Sequence, residues 1–139
     1  ALDRLPGLDW EPMGSTARAV TRAAVDVAKG VDAKYIIAFT ETGASARMIA
    51  RHRPEIQLLA FTPNQEVRSR LSLTWGIETF LAPAVRHTGD MVQQVDTALL
   101  AIGRVMPGDK VIVIAGVPPG VPGTTNGMRV HMVGLAGGV

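Results

Sequence analysis

Cysteine is absent from this chain of 139 residues, which excludes a disulfide framework, a thiolate metal site and a cysteine nucleophile together. Aromatic residues make up only 4%, and the formal net charge is a small +2. The pI near 9.5 reflects a slight excess of arginine rather than a basic stripe, so nucleic acid is not an expected partner. Long apolar runs are missing as well. The longest uncharged stretch, Val111 to Met128, is interrupted by Pro118, Pro119, Pro122 and four glycines, which excludes a membrane helix there, and no signal peptide pattern is visible. These absences lead to the expectation of a cytoplasmic domain with no membrane partner. What the chain does have is 47% hydrophobic residues, enough for the core of one domain over 1–139, with 1–13 as a lead-in linker and 134–139 as a tail. Its first residue is Ala1 rather than Met, and the expectation is a piece of something longer.

Helical and strand periodicities alternate along the chain. Leu2, Leu5 and Leu8 suggest a short lead-in helix or turn that stops at Trp10-Glu11-Pro12. Ser15 is placed to cap an alanine-rich helix to Lys29, with Ala19, Ala23 and Val27 buried and Gly30 as its stop. A strand over Lys34–Phe39, a helix over about Ser45–His52 and a strand over Gln57–Phe61 follow. Asn64 caps the next helix, to about Leu73, Trp75-Gly76 turn the chain, and Ile77–Leu81 form the third strand. A longer helix begins near Thr88 to Asp90 and carries Met91, Val95, Leu99 and Ile102 at helical spacing until Pro107-Gly108-Asp109. The β-branched run Val111–Ala115 reads as a central strand buried on both faces, and Met128–Val133 as a last strand.

The segment from Gly116 to Gly127 has no helical pattern, whereas a parallel crossover needs a dozen or more residues and usually a helix. The last strand is therefore expected to run antiparallel at an edge, with the others parallel and helices on both faces. The fold class is α/β, a three-layer α/β/α domain around a mixed five-stranded sheet of order 3-2-1-4-5. In such sheets ligands sit beyond the carboxyl ends of the strands where the order reverses, here between strands one and four. The loops emerging there are Thr40 to Ser45 and Val117 to Asn126, both rich in glycine and hydroxyl groups.

The first of these loops is the strongest functional signal. After the apolar run ending at Phe39 come Thr40, Glu41, Thr42, Gly43, Ala44 and Ser45. A helix starting near Ser45 leaves its first N–H groups without intrahelical partners, and its dipole puts partial positive charge where three hydroxyls and a close-approach glycine converge. A phosphate fits such a cradle. A capped turn with no ligand carries the same signature.

The ordered set Phe39-Thr40-Glu41-Thr42-Gly43-Ala44-Ser45-Ala46, Ile49-Ala50-Arg51-His52-Arg53-Pro54, Phe61-Thr62-Pro63, Trp75-Gly76-Ile77, Lys110-Val111-Ile112-Val113 and Gly123-Thr124-Thr125-Asn126-Gly127-Met128-Arg129-Val130 resembles the C-terminal domain of pyruvate kinase. The resemblance runs from about Met13 to Val133. It implies a regulatory and assembly domain, an allosteric site for a phosphorylated effector, a catalytic barrel domain of the same polypeptide as partner, and a homo-oligomer, dimeric as a fragment and tetrameric when intact. It implies that Thr40, Glu41, Thr42, Gly43, Ala44 and Ser45 cradle the effector phosphate. The loop Pro118, Pro119, Gly120, Val121, Pro122, Gly123, Thr124 and Thr125 would cover it. Members that bind fructose 1,6-bisphosphate often carry Trp or basic residues where this chain has Val117, Pro118 and the link Ala82–His87, so a sugar monophosphate or AMP is the favoured effector. The alternative is a free-standing sugar-phosphate or nucleotide-binding module without a catalytic partner.

The resemblance places phosphoryl transfer, with its Mg²⁺ and K⁺, in the barrel. No catalytic residue, metal site or cofactor is expected in this chain, and alone it should be inactive. His52, His87 and His131 fall in separate elements and read as surface or cap residues, and Asp90, Asp96 and Asp109 as capping or solvated groups. Arg47 and Arg51, spaced i,i+4, repel one another unless something anionic is near. Arg68 and Arg70 read as exposed or interfacial, Met48, Met91 and Met106 as core or interface filler, and Trp75 as packing its turn.

Overall fold

The computed structural model describes residues 4–85, 87–116 and 125–134. Its elements are α1 (Arg4–Gly30), β1 (Tyr35–Phe39), α2 (Ala44–Ala50), β2 (Gln57–Thr62), α3 (Gln65–Leu71), β3 (Ile77–Leu81), α4 (Thr88–Ala101), β4 (Lys110–Gly116) and β5 (Thr125–Met132). The sheet order is β3-β2-β1-β4-β5, with β4–β5 antiparallel and the other pairings parallel, as the alternation of patterns implied.

The helices divide unevenly. Ala24 and Ala28 of α1, Ala46 and Ile49 of α2, and Val67 and Leu71 of α3 pack with Ile36, Leu58, Ile112 and Ile114 on one face. Val92, Val95 and Leu99 of α4 cover Ile37, Leu59, Phe61, Val111 and Val113 on the other. Among the described residues three helices thus share one face and α4 alone serves its opposite. That division follows from the chain moving outward from β1 through β2 to β3, then returning past β1 to lay down β4.

α1 departs from expectation. It is one helix of 27 residues rather than a lead-in turn and a helix capped at Ser15, so most of 1–13 is helical rather than linker. An interior proline removes one backbone hydrogen bond and crowds one turn, which can kink a helix without ending it. The buried stripe is Ala17, Thr21, Ala24 and Ala28, while Ala19 is exposed and Ala23 and Val27 are half-buried. Alanines occupy both stripes, so apolar pattern alone could not select between them. Thr21 joins the interior because its hydroxyl donates to the Arg18 carbonyl at 3.0 Å.

The helix stops also differ in which residue makes them. Gly30 is the last residue of α1, but the left-handed residue that closes the helix is Asp32, with φ of 59°. Asp32 N–H reaches Lys29 O at 3.4 Å and Ala33 N–H reaches Ala28 O at 2.9 Å, the paired closure that leaves few terminal carbonyls open. α4 closes the same way through Gly103, with Arg104 N–H on Leu99 O at 3.0 Å, well before Pro107. Ile102 is therefore past the helix and 53% exposed. The Asn64 cap stands as read: its side chain accepts from Glu66 N–H at 2.9 Å and Val67 N–H at 3.2 Å. Asn64→Ala should lower stability by about 0.5–2 kcal/mol, read as a reduced urea midpoint at unchanged slope.

Candidate functional site

β1 pairs one residue beyond its end, Thr40 N–H donating to Phe61 O at 3.0 Å. The chain then has to leave the sheet and enter α2 within four residues. Gly43 makes this possible with φ of 90°, a conformation L side chains rarely adopt. The buried Thr40 hydroxyl oxygen accepts the Gly43 N–H at 2.7 Å, and the Thr42 hydroxyl oxygen accepts the Ala44 N–H at 3.3 Å. The first intrahelical bond is Arg47 N–H to Gly43 O at 3.0 Å.

This geometry refines the expected cradle. Gly43 is the N-cap and offers no side-chain cap, and α2 begins at Ala44, one residue earlier than read. The N–H groups of Gly43 and Ala44 are occupied by the two threonine oxygens. Those of Ser45 and Ala46 precede the first intrahelical bond and are the terminal donors that remain. The threonine oxygens act as acceptors within the loop, so their O–H groups keep the capacity to donate. Ala46 was not in the expected set; the signal would have been to start the helix one residue sooner. Ser45 is buried at 4% exposure, and Glu41 is half-buried.

One cation belongs to the loop. Arg47 folds back so that its Nη2 donates to Thr42 O at 3.2 Å, and its Nη1 would lie 2.8 Å from a Cβ placed on Gly43. Arg51 and Arg53 line a shallow groove with Arg47, Thr74 and Trp75. Trp75 does not pack its turn: it is 88% exposed, because Gly76 at φ 88° makes the turn from backbone alone. Arg68 and Arg70 are exposed on α3.

The parallel register of Ala38 with Ile114 sets the carboxyl ends of β1 and β4 side by side. Of the expected covering loop, Pro118, Pro119, Gly120, Val121, Pro122, Gly123 and Thr124 lie outside the described residues. Thr125 opens β5 in register with Gly116. On the α4 face the strand ends are joined by an aromatic row, Phe39 to Phe61 at 5.2 Å and Phe61 to Phe80 at 5.1 Å. Such contacts add about 0.5–1.5 kcal/mol each beyond burial and hold the exit of β1 against its neighbours.

Two of the polar residues read as surface groups are instead joined. His131, 3% exposed on β5, has Nε2 at 2.8 Å from Asp96 Oδ1 of α4, and Asp96 Oδ2 accepts the Gly134 N–H at 3.1 Å. They are 35 residues apart, so spacing carried no hint of the pair. His52 and His87 are exposed, and Asp109 does cap its turn, accepting the Met106 N–H at 2.9 Å. Met91 is core, whereas Met106 is 69% exposed. At the amino ends of the strands, Arg104 Nη2 lies 2.6 Å from Glu78 Oε2, and the Glu78 hydrogen bond, with a further one from Tyr35, raises the guanidinium pKa above its usual value.

The family described as pyruvate kinase, alpha/beta domain, matches residues 18–131. The chain is 46% identical over 132 residues to the pyruvate kinase of Corynebacterium glutamicum, covering 94% of this chain and 27% of that enzyme. It is 45% identical over 115 residues to that of Mycobacterium tuberculosis, covering 83% and 24%. Among solved structures, a Cryptosporidium parvum pyruvate kinase in complex with ADP superposes with a TM-score of 0.75 at 30% identity, over 84% of this chain and 23% of that one. The chain spans about a quarter of the length of the curated relatives it matches.

Gly43 carries the loop's conformation, so Gly43→Ala should cost about 1–3 kcal/mol from left-handed strain, with a further contact at Leu71 Cδ2, 3.2 Å from the new Cβ. Gly30→Ala, with no atom within 4 Å of its Cβ, should instead stabilise by about 0.4–1 kcal/mol. Urea denaturation of the two variants beside wild type reads both signs.

Proposed function

Because the chain belongs to the pyruvate kinase alpha/beta domain family, we propose that it is the regulatory and assembly domain of a pyruvate kinase and that its β1–α2 loop holds the phosphate of an allosteric effector. In the intact enzyme, phosphoryl transfer from phosphoenolpyruvate to ADP, with its Mg²⁺ and K⁺, belongs to a catalytic barrel of the same polypeptide. This domain supplies control. The observation that carries the reading is the cradle itself: Ser45 and Ala46 N–H groups at the start of α2, threonine hydroxyls beside them and the Arg47 guanidinium tied to the same loop. Donors and a fixed cation that has no carboxylate partner among the described residues suit a phosphate oxyanion.

A sugar monophosphate or AMP is the favoured effector over fructose 1,6-bisphosphate. The cradle provides one anion site, and the place after Gly116, which often carries Trp or a basic residue in members that bind the bisphosphate, holds Val117 and Pro118. Effector binding then acts as a coupling free energy, typically about 1–3 kcal/mol, that biases subunit packing and through it the distant catalytic site.

Calorimetric titration with glucose 6-phosphate, ribose 5-phosphate, AMP and fructose 1,6-bisphosphate tests the assignment and ranks the ligands. Losing a hydrogen bond to a charged group costs about 1.5–3 kcal/mol, so Ser45→Ala should weaken the bound monophosphate roughly ten- to a hundredfold. Unchanged affinity in that variant would move the phosphate elsewhere.

Assembly follows from the other edge of the sheet. Met128, Val130 and Met132 are 38%, 44% and 39% exposed on edge strand β5, an unpaired edge with an apolar row that favours pairing with another chain. Sedimentation of the chain at micromolar concentration should show a homodimer; a monomer throughout would confine assembly to the intact tetramer.

A further inference from the structure

α4 alone covers its face of the sheet, and it leaves the end of β3 only half covered. A cavity of about 430 Å³ results between β3, the link after it and α4. Its floor is the stacked pair Phe61 and Phe80, and Ala98 forms part of the apolar wall. Four polar residues of α4 line it, Asp90, Gln93, Gln94 and Thr97, and Asp90 brings the one charge among them. Gln94 Nε2 donates to Pro83 O at 2.8 Å, which fixes the orientation of the carboxamide. Gln94 Oε1 is then left buried with no hydrogen-bond partner, and among the described residues no other buried side-chain polar atom is in that position. A buried acceptor without a donor is a standing cost that a ligand N–H can relieve.

The charge of the cavity is the reverse of that of the β1–α2 loop. It is lined by a carboxylate and an orphan acceptor, and none of the described lining residues is cationic. A phosphorylated effector is repelled here; a cation is attracted. Asp90 and Gln94 are spaced i,i+4 on α4, which brings their side chains together on one face about 5–6 Å apart at Cβ. One ammonium group can lie between them. We propose that this cavity is a binding site for a small apolar amine, its aromatic or branched aliphatic body seated on Phe61 and Phe80 and its ammonium donating to the Asp90 carboxylate and to Gln94 Oε1. The inference is independent of the phosphate assignment and concerns the opposite face of the sheet from α2.

Titration of the ¹⁵N-labelled chain with 2-phenylethylamine and with the matched acid 3-phenylpropionate, followed by amide chemical shifts, tests it. The amine should shift residues 80–82 and 90–98 and bind at least about tenfold more tightly than the acid, the gap expected of about 1.4 kcal/mol. Asp90 is exposed, so Asp90→Asn should weaken the amine by only about threefold. Ala98→Leu fills the cavity from its wall and should abolish these shifts while the rest of the spectrum stays folded. Equal binding of amine and acid overturns the proposal, as do shifts that fall outside these residues or survive in Ala98→Leu.

Discussion

Burial of β1 on both faces is the constraint from which the rest of this domain follows. Tyr35, Ile36, Ile37 and Ala38 are at most 8% exposed, so neither water nor a side chain is available to their backbone groups. Each unpaired N–H or C=O there would cost kilocalories. The pairing must come from strands on either side, and it does, from β2 and from β4. Because β2 follows β1 directly and β4 arrives only after β3, the chain reverses its direction of travel across the sheet at β1. α2 and α3 accompany the outward path on one face; α4 carries the return on the other. A crevice opens where those paths diverge, beyond the carboxyl ends of β1 and β4.

The loop at that crevice is held before any ligand arrives. Thr40 and Thr42 satisfy two backbone donors, Gly43 supplies the left-handed turn, and Arg47 is tied to the Thr42 carbonyl. Ordering a loop on binding costs free energy that a preformed one avoids. The hydroxyl-rich sequence thus does two jobs, fixing the loop's shape through oxygen acceptors and retaining O–H donors. The aromatic row from Phe39 to Phe80 sets the height of the strand ends on which this loop stands.

The two edges of the sheet are managed differently. β5 is antiparallel and joined to α4 through Asp96, which meets His131 and the Gly134 N–H together. Its other face keeps Met128, Val130 and Met132 half-exposed. At the opposite edge β3 is only partly covered, and the stacked phenylalanines floor a cavity there. Uneven distribution of helices, three on one face and one on the other, is the common cause of the covered and uncovered regions.

Periodicity by itself determined the number, type and order of the strands, because β-branched runs such as Val111–Ala115 and helical spacing such as Met91, Val95 and Leu99 are local properties. The missing helix between β4 and β5 determined the antiparallel edge, since a short connection cannot make a parallel crossover. The loop of Thr40 to Ser45 was legible for the same reason: its hydroxyls and glycine act on backbone within a few residues. What local pattern could not decide was set by packing. Alanines on two faces of α1 left its buried stripe open until α2 and the sheet selected Ala17, Thr21, Ala24 and Ala28. Asp32 and Gly103, not Gly30 and Pro107, are the left-handed residues that close their helices, and the N–H groups of Ala33 and Arg104 complete each closure. Asp96 with His131, and Asp90 and Gln94 over the Phe61–Phe80 floor, meet across the layers of the fold. Contacts between residues far apart in the chain depend on how side chains meet when the layers close on one another, and tertiary structure alone supplies that.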